Sequence, residues 1–162
     1  MAPGVVLRPA VREDVPLILG FIRELADYEK LAHEVVADEA VLTEQLFGAH
    51  PAAEVVIAEV DGQPAGFALF FHNFSTFLGR RGLYLEDLYV RPAFRGHGLG
   101  LTLMRHLARI AVERGCGRFE WWVLDWNTPA IEFYRRLGAV GMGDWTVQRL
   151  TGDALRRLAE GG

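Results

Sequence analysis

The chain has 162 residues, 51% of them apolar, and a single cysteine, which excludes a disordered chain and a disulfide-stapled scaffold and fits one domain over residues 1–162 in a cytoplasmic setting. With 17 basic and 21 acidic side chains the net charge is −4, which speaks against a nucleic-acid partner and leaves room for a cationic substrate. The N-terminal stretch reaches Arg8 and Glu13 too soon for a signal peptide, and no apolar run approaches the roughly 20 residues of a membrane span, so no membrane partner is expected.

Residues 5–9, VVLRP, form a short strand ended by Pro9. A helix follows, with Asp14 as N-cap, Val15-Pro16 in its first turn and Leu17, Ile18, Phe21, Ile22, Leu25 and Tyr28 at helical spacing. A second helix over 38–47 turns Val41, Leu42 and Leu46 inward and ends at Gly48. Two β-rich runs flank Asp61-Gly62, a hairpin signal. Residues 75–82, STFLGRRG, read as a loop, and LYLEDLYVR as the next strand. A helix over 98–114 puts Leu99, Leu103, Leu107 and Ile110 on one face and closes at Gly115. RFEWWVLDW is a strand, and TPAIEFYRRLG a short helix with Thr128 as N-cap and Gly138 at its end. DWTVQRL is a last strand before a helical tail. The order β-α-α-β-β-β-α-β-α-β predicts a mixed α/β sheet with helices on both faces, the strands around residues 83–124 being parallel across a crossover helix.

Just where the helix at 98–114 begins, the chain reads Arg95-Gly96-His97-Gly98-Leu99-Gly100. A helix N-terminus offers unpaired N–H groups and the positive end of a dipole, and glycine lets that backbone approach a ligand at positive φ. Together they make an anion site, commonly for phosphate. The same glycines also suit a tight strand-to-helix turn that holds nothing. A P-loop needs Gly-Lys followed by Ser or Thr, which is absent. The dinucleotide fingerprint lacks its third glycine, because Leu101-Thr102-Leu103 follows Gly100; Glu120 meets only its acidic requirement.

Arg-x-x-Gly-x-Gly, as Arg95 to Gly100, resembles the acetyl-coenzyme A loop of the GCN5-related N-acetyltransferases (GNAT), and WWVLDWNTPAIEFYRRLGA resembles the second signature of that family. LRPAVREDVPLILGFIRELADYEK, GFALFFHNFSTFLGR and LYLEDLYVRPAFRG extend the resemblance over about Leu7 to Leu158, toward the spermidine/spermine (diamine) acetyltransferases and their thialysine-acetylating relatives. The resemblance implies an acyltransferase fold with a mostly antiparallel sheet, and acetyl-CoA as co-substrate. Loop amides from Arg95, Gly96, Gly98 and Gly100 would grip its pyrophosphate, backbone groups of Leu88 and Val90 its pantetheine arm. Asn127 and Tyr134 would contact it too, and the chain would be a homodimer like its close relatives.

An alkylamine with pKa about 10.4 is protonated at neutral pH, and only its free form attacks a thioester, so a base is required. Glu86 and Asp87 are the candidates, side by side on one strand; regular alternation puts Glu86 on a face with Tyr84, Leu88 and Val90, unless a bulge intervenes. The resemblance assigns the base role to Glu86, through water, and general acid to Tyr134. On spacing alone, Tyr134 is a core tyrosine, Asn127 a helix cap, and both carboxylates strand-edge groups facing solvent or Arg. Asp87, Glu86, Tyr28 and Glu29 are the candidate substrate-binding residues, Tyr28 and Glu29 matching acceptor-site positions of the diamine enzymes. Arg135 and Arg136 are either solvated or directed at the cofactor's 3′-phosphate.

His97 falls at a variable position of the motif and reads as solvent-exposed, and His33, His50, His72 and His106 lack metal-ligand spacing, so no metal is expected. Cys116 has no convincing base beside it in sequence. The four tryptophans read as core or dimer surface. The loop Ser75 to Gly79 lacks the acid and tryptophan usual in the diamine enzymes. A short amine, a diamine or a lysine-like amino acid is thus as good an acceptor as spermidine. Two alternatives remain: a coenzyme A-binding sensor without turnover, and a protein lysine or N-terminal acetyltransferase.

Overall fold

The computed structural model describes residues 4–161. Its elements are β1 (Val5–Pro9), α1 (Val15–Tyr28), α2 (Glu39–Phe47), β2 (Glu54–Val60), β3 (Gln63–Ser75), β4 (Arg80–Val90), α3 (Leu99–Glu113), β5 (Phe119–Trp121), α4 (Thr128–Arg136) and α5 (Gly152–Ala159). The chain divides into two compact units after Trp122. Among the described residues no helix is long and apolar enough to cross a membrane.

The first unit is built on one sheet in the order β1-β2-β3-β4-β5. Neighbours are antiparallel except β4 and β5, which are parallel and joined through α3, as the crossover pattern predicts. Asp61 and Gly62 close the β2–β3 hairpin at φ 49° and 79°, the left-handed pair that a two-residue turn needs. β3 and β4 run longer than the sequence suggests: the loop over 75–82 shrinks to a turn between Ser75 and Arg80, because both strands continue their ladder to Ser75↔Arg80.

The apolar stripe of α1 buries Val15, Ile18, Leu19, Phe21 and Leu25 against Val55, Ile57, Phe67 and Leu69 of the sheet, with Leu42 and Leu46 of α2. Phe21 stacks on Phe67 with ring centroids 5.1 Å apart. Asp14 stands at the N-cap position of α1 but does not cap it through its side chain. Its carboxylate instead accepts from Arg8 at 2.8 and 2.9 Å and from the Val11 N–H at 2.8 Å, and Arg8 holds it below the usual carboxylate range. Asp38 does cap α2, accepting from the Val41 N–H at 2.8 Å. Val41 is exposed, not inward, since Leu42 and Leu46 alone form the buried stripe of this short helix. On α3, Leu99, Leu103, Met104, Leu107 and Ala111 are buried, whereas Ile110 is only half-buried.

In the second unit, α4 is capped by Asn127 rather than Thr128. The predicted strand over 144–150 is absent, those residues being irregular and exposed; alternation without a partner strand does not make a sheet. The strand predicted over 118–126 is only Phe119–Trp121, for the same reason: β4 offers it pairing for three residues.

Candidate active site

The register of β3 on β4 slips at the acidic pair. Phe70 pairs with Leu85 and Leu69 with Asp87, so Glu86 is the extra residue of a β-bulge. One inserted residue reverses which face each following side chain takes. Tyr84 packs its ring on Phe71 at 5.0 Å, on the side of Phe67 and Leu69, while Leu88 pairs with Ala68 on the opposite side. The expected grouping of Glu86 with Tyr84, Leu88 and Val90 is therefore corrected. The bulge leaves Glu86 exposed and puts Asp87 with Tyr84 and Tyr89 on the face of α1.

That face gathers carboxyl groups. The Asp87 carboxyl is pushed up to about 7, first by burial, then by the charges of Glu86 and Glu29. Burial also raises Glu29, which caps the C-terminal end of α1. The Tyr84 hydroxyl is raised by burial and then by Glu86, Glu120 and Asp87. Four acids thus act on one half-buried patch, with the Tyr84 ring between Phe71 and Trp122, the latter edge-on at 5.9 Å. Such a patch suits a cation. Tyr84 carries no sequence signal as a site residue, and Glu120 only its distance from the glycine loop, because their pairing comes from the β4–β5 register.

β4 then leads into the glycine loop. β5 pairs only with Leu83–Leu85, so the edge of β4 toward β5 has no strand partner from Glu86 to Val90 among the described residues. Leu88 and Val90 lie on that stretch, open to an amide-bearing chain running alongside. The end of the strand is tied to α1: Arg91 grips Glu24 through Nε at 3.2 Å and Nη2 at 3.0 Å, and the Tyr89 hydroxyl donates to Glu24 at 3.2 Å. Arg95 donates from Nε to the Val90 carbonyl at 2.8 Å. Its guanidinium lies 5.4 Å from the Tyr28 ring and 5.6 Å from that of Tyr89, so this charge secures the foot of the loop and links it to Tyr28.

Gly96 and Gly98 have φ of 84° and 76°, which only glycine adopts cheaply. Gly98 is the N-cap of α3 and offers no side-chain cap, leaving the first N–H groups of a 15-residue helix for another acceptor. His97 is exposed. Gly100 is helical, and a Cβ there would meet nothing within 4 Å. The fold itself thus gives no reason for glycine at 100, whereas a ligand seated on the backbone does. These features fit the phosphates of coenzyme A. Gly100→Ala is expected to stabilise the fold by about 0.5–1 kcal/mol in thermal unfolding and to weaken coenzyme A binding in titration calorimetry. A loop serving geometry alone would show the first effect without the second.

In the second unit, buried Asn127 accepts the Ala130 N–H on Oδ1 at 3.4 Å, the capping role its position allows. Tyr134 is half-buried on α4, its ring 5.5 Å from that of Phe133. Arg135 and Arg136 are exposed in the last turn of α4, where their charge suits the helix dipole.

Cys116 Sγ lies 3.9 Å from His72 Nδ1, a proximity not visible in sequence. Arg114 Nη1 lies 2.9 Å from His72 Nε2 and can only donate, so Nε2 accepts and Nδ1 carries the proton. Nδ1 then donates to the Gly82 carbonyl at 3.0 Å. His72 is not free to take the thiol proton, and the pair is not an activated nucleophile. Among the described residues no group of acids, histidines and cysteines is arranged to hold a metal.

A sequence model of the acetyltransferase (GNAT) family matches residues 20–139. The chain is 39% identical to a thialysine N-epsilon-acetyltransferase of Sus scrofa, over 96% of this chain and 98% of that one. It is 34% identical to an L-ornithine N5-acetyltransferase of Arabidopsis thaliana, over 94% of this chain and 86% of that one. Among solved structures, an integron cassette protein from the mobile metagenome of V. cholerae matches with a TM-score of 0.81 at 30% identity, over 98% of this chain and 99% of that one.

Proposed function

The chain belongs to the GNAT family of acetyltransferases, which use acetyl-CoA, and from that premise we propose that it acetylates a primary amine of a small molecule, a diamine or polyamine or a lysine-like amino acid. The observation that carries this reading is the course of β4, which runs from an acidic, aromatic patch at the Glu86 bulge along an unpaired edge into the glycine loop. The names of the similar acetyltransferases point the same way, since thialysine and ornithine both carry a side-chain primary amine.

In the proposed reaction Asp87, Glu29 and Tyr28 receive the incoming ammonium, and Glu86 takes its proton through water and passes it to solvent. Backbone amides of Arg95, Gly96, Gly98 and Gly100, the edge at Leu88 and Val90, and Asn127 hold the co-substrate. Acetyl-CoA supplies its acetyl group as a thioester: the free amine forms the new C–N bond, the C–S bond breaks and the thiolate leaves, while the second proton of the attacking nitrogen passes to water. Tyr134 donates a hydrogen bond to that thiolate. A phenol pKa near 10 lies above a thiol pKa near 8.5, so stabilisation by the hydrogen bond, rather than complete proton transfer, is its contribution.

We further propose that the whole chain acts as one acetyltransferase unit in the cytoplasm and pairs as a homodimer. The family match at 20–139 runs across the division at Trp122, and Val140, Met142 and Trp145 offer apolar surface for pairing.

The test is thiol release from acetyl-CoA with spermidine, spermine, putrescine, thialysine, lysine and a histone-like peptide. Turnover on a small amine, reduced about tenfold or more in Tyr134→Phe, is the expected result. Acetyl-CoA binding without any turnover would favour the sensor alternative, and turnover on the peptide alone would favour protein acetylation.

A further inference from the structure

At the end of the acidic face away from the glycine loop lies a shallow, partly open cleft lined by Asn73, Arg80, Gly82, Arg118 and Glu120 among others. It mixes charges of both signs, unlike the patch at Glu86. Glu120 is half-buried, and Asn73 Nδ2 donates to its Oε1 at 3.4 Å, which fixes the carboxylate and leaves Oε2 to another donor. The Arg118 carbonyl accepts the Leu83 N–H at 2.9 Å, continuing the β5 ladder, so Arg118 and Glu120 lie two apart on one strand and share a face. Among the described residues the Arg118 guanidinium has no ion pair with any carboxylate, Glu120 included. Arg80 lines the same cleft and donates to the Gly115 carbonyl at 3.4 Å.

Charges of opposite sign that share a cleft without pairing suit a ligand that carries both. We infer that Glu120 and Arg118 form a head-group subsite, holding the α-ammonium and α-carboxylate of a lysine-like amino acid while its side-chain amine lies at Glu86. The inference rests on the amine-acetylation reading and narrows its substrate class.

The spacing agrees. Tyr84 pairs with Glu120 across β4 and β5, and Glu86 lies two positions along β4. Strands about 4.8 Å apart and a rise of about 3.3 Å per residue put the two glutamates roughly 8 Å apart at their Cα atoms. The two nitrogens of an extended lysine-like chain, five or six bonds apart, are separated by about 6–7.5 Å. The Tyr84 ring, between Phe71 and Trp122, lies along that span, where it covers the aliphatic chain. A diamine would satisfy Glu120 but leave Arg118 facing a second cation. A long polyamine would also carry positive charge toward Arg80.

Matched substrates test this directly: L-ornithine against putrescine, and L-lysine against cadaverine, each pair differing only in the α-carboxylate. Steady-state kcat/KM and calorimetric binding constants are measured for the wild type, Arg118→Ala, Arg118→Lys and Glu120→Gln. The wild type is expected to prefer the amino acid of each pair. Arg118→Ala lowers kcat/KM for the amino acids about tenfold, mainly through KM, with the diamines unchanged or improved, and Arg118→Lys restores part of the loss. Glu120→Gln weakens both members of each pair, because both place an ammonium there. It keeps the Asn73 contact, so folding is preserved. Preference for the diamine, or an amino-acid to diamine ratio unmoved by Arg118→Ala, overturns the subsite while leaving amine acetylation standing. Absence of turnover on all four amines overturns the subsite; the acetylation reading falls with it only where spermidine, spermine and thialysine also fail.

Discussion

Glu86→Gln is expected to lower kcat/KM for the small amine about 10²-fold at neutral pH, the usual range for losing a positioned general base. The bulge is the reason the base role is proposed for this carboxylate and not for Asp87. Glu86 is the unpaired residue of the ladder and is exposed, so it can pass a proton to water, whereas Asp87 faces inward beside Glu29. The size of the defect should depend on pH in a specific way. The amine has a pKa near 10.4, so each unit of rising pH supplies about tenfold more free amine from solution. The gap between Glu86→Gln and wild type should therefore close as pH approaches 10. Substitution by Gln keeps the size of the side chain, and circular dichroism would show an unchanged fold. Undiminished turnover in this variant at pH 7 would remove Glu86 from the base role. A defect of constant size up to pH 10 would reassign it to binding or positioning.

What the sequence makes legible is local. Asp61-Gly62 announces its hairpin because a two-residue turn needs positive φ twice. The glycines at 96, 98 and 100 are readable because a strand-to-helix junction rich in glycine has few uses. Spacing also finds the stripe of α3, although Ile110 sits at its margin and Met104 takes the buried place. What stays hidden depends on register between distant strands. No pattern within LYLEDLYV distinguishes a regular strand from one with Glu86 bulged out, because the extra residue exists only relative to β3. The bulge decides that Asp87, not Leu88, accompanies Tyr84. The Tyr84–Glu120 pairing has the same origin on the other side, in a three-residue strand that the sequence makes nine residues long. DWTVQRL shows the converse error: a strand-like composition that finds no partner. Asn127 and Thr128 are both good caps, and only the accepted Ala130 N–H separates them.

Asp87→Asn is expected to stabilise the protein while impairing it. The Asp87 carboxyl is raised from 3.8 to about 7 by burial, Glu86 and Glu29. Below about pH 4 the group is protonated in both folded and unfolded chains and contributes no difference. Between pH 4 and 7 the folded protein retains a proton that the unfolded chain releases, so stability falls as pH rises, by up to about 1.4 kcal/mol per unit. Above pH 7 the carboxylate is ionised in both states and the destabilisation is constant. Asn carries no such charge. At pH 8 we expect Asp87→Asn to be more stable by about 2 kcal/mol, part of the full shift being relieved by solvent and by partial neutralisation of its neighbours, which corresponds to roughly 6 °C in melting temperature. The advantage should shrink steadily as pH is lowered from 7 to 4. Activity should move the other way. With ionised Asp87 in its proposed role of attracting the substrate ammonium, the wild type should show a rise of kcat/KM through about pH 7, and Asp87→Asn should lack it and bind the amine more weakly. A variant less stable than wild type at pH 8, or a stability difference that ignores pH, would mean that Asp87 is not held as a strained carboxyl. A half-buried acid beside two others holds its proton up to about pH 7 unless a cation displaces it, and gaining stability while losing amine affinity is the signature expected of a group kept for its substrate.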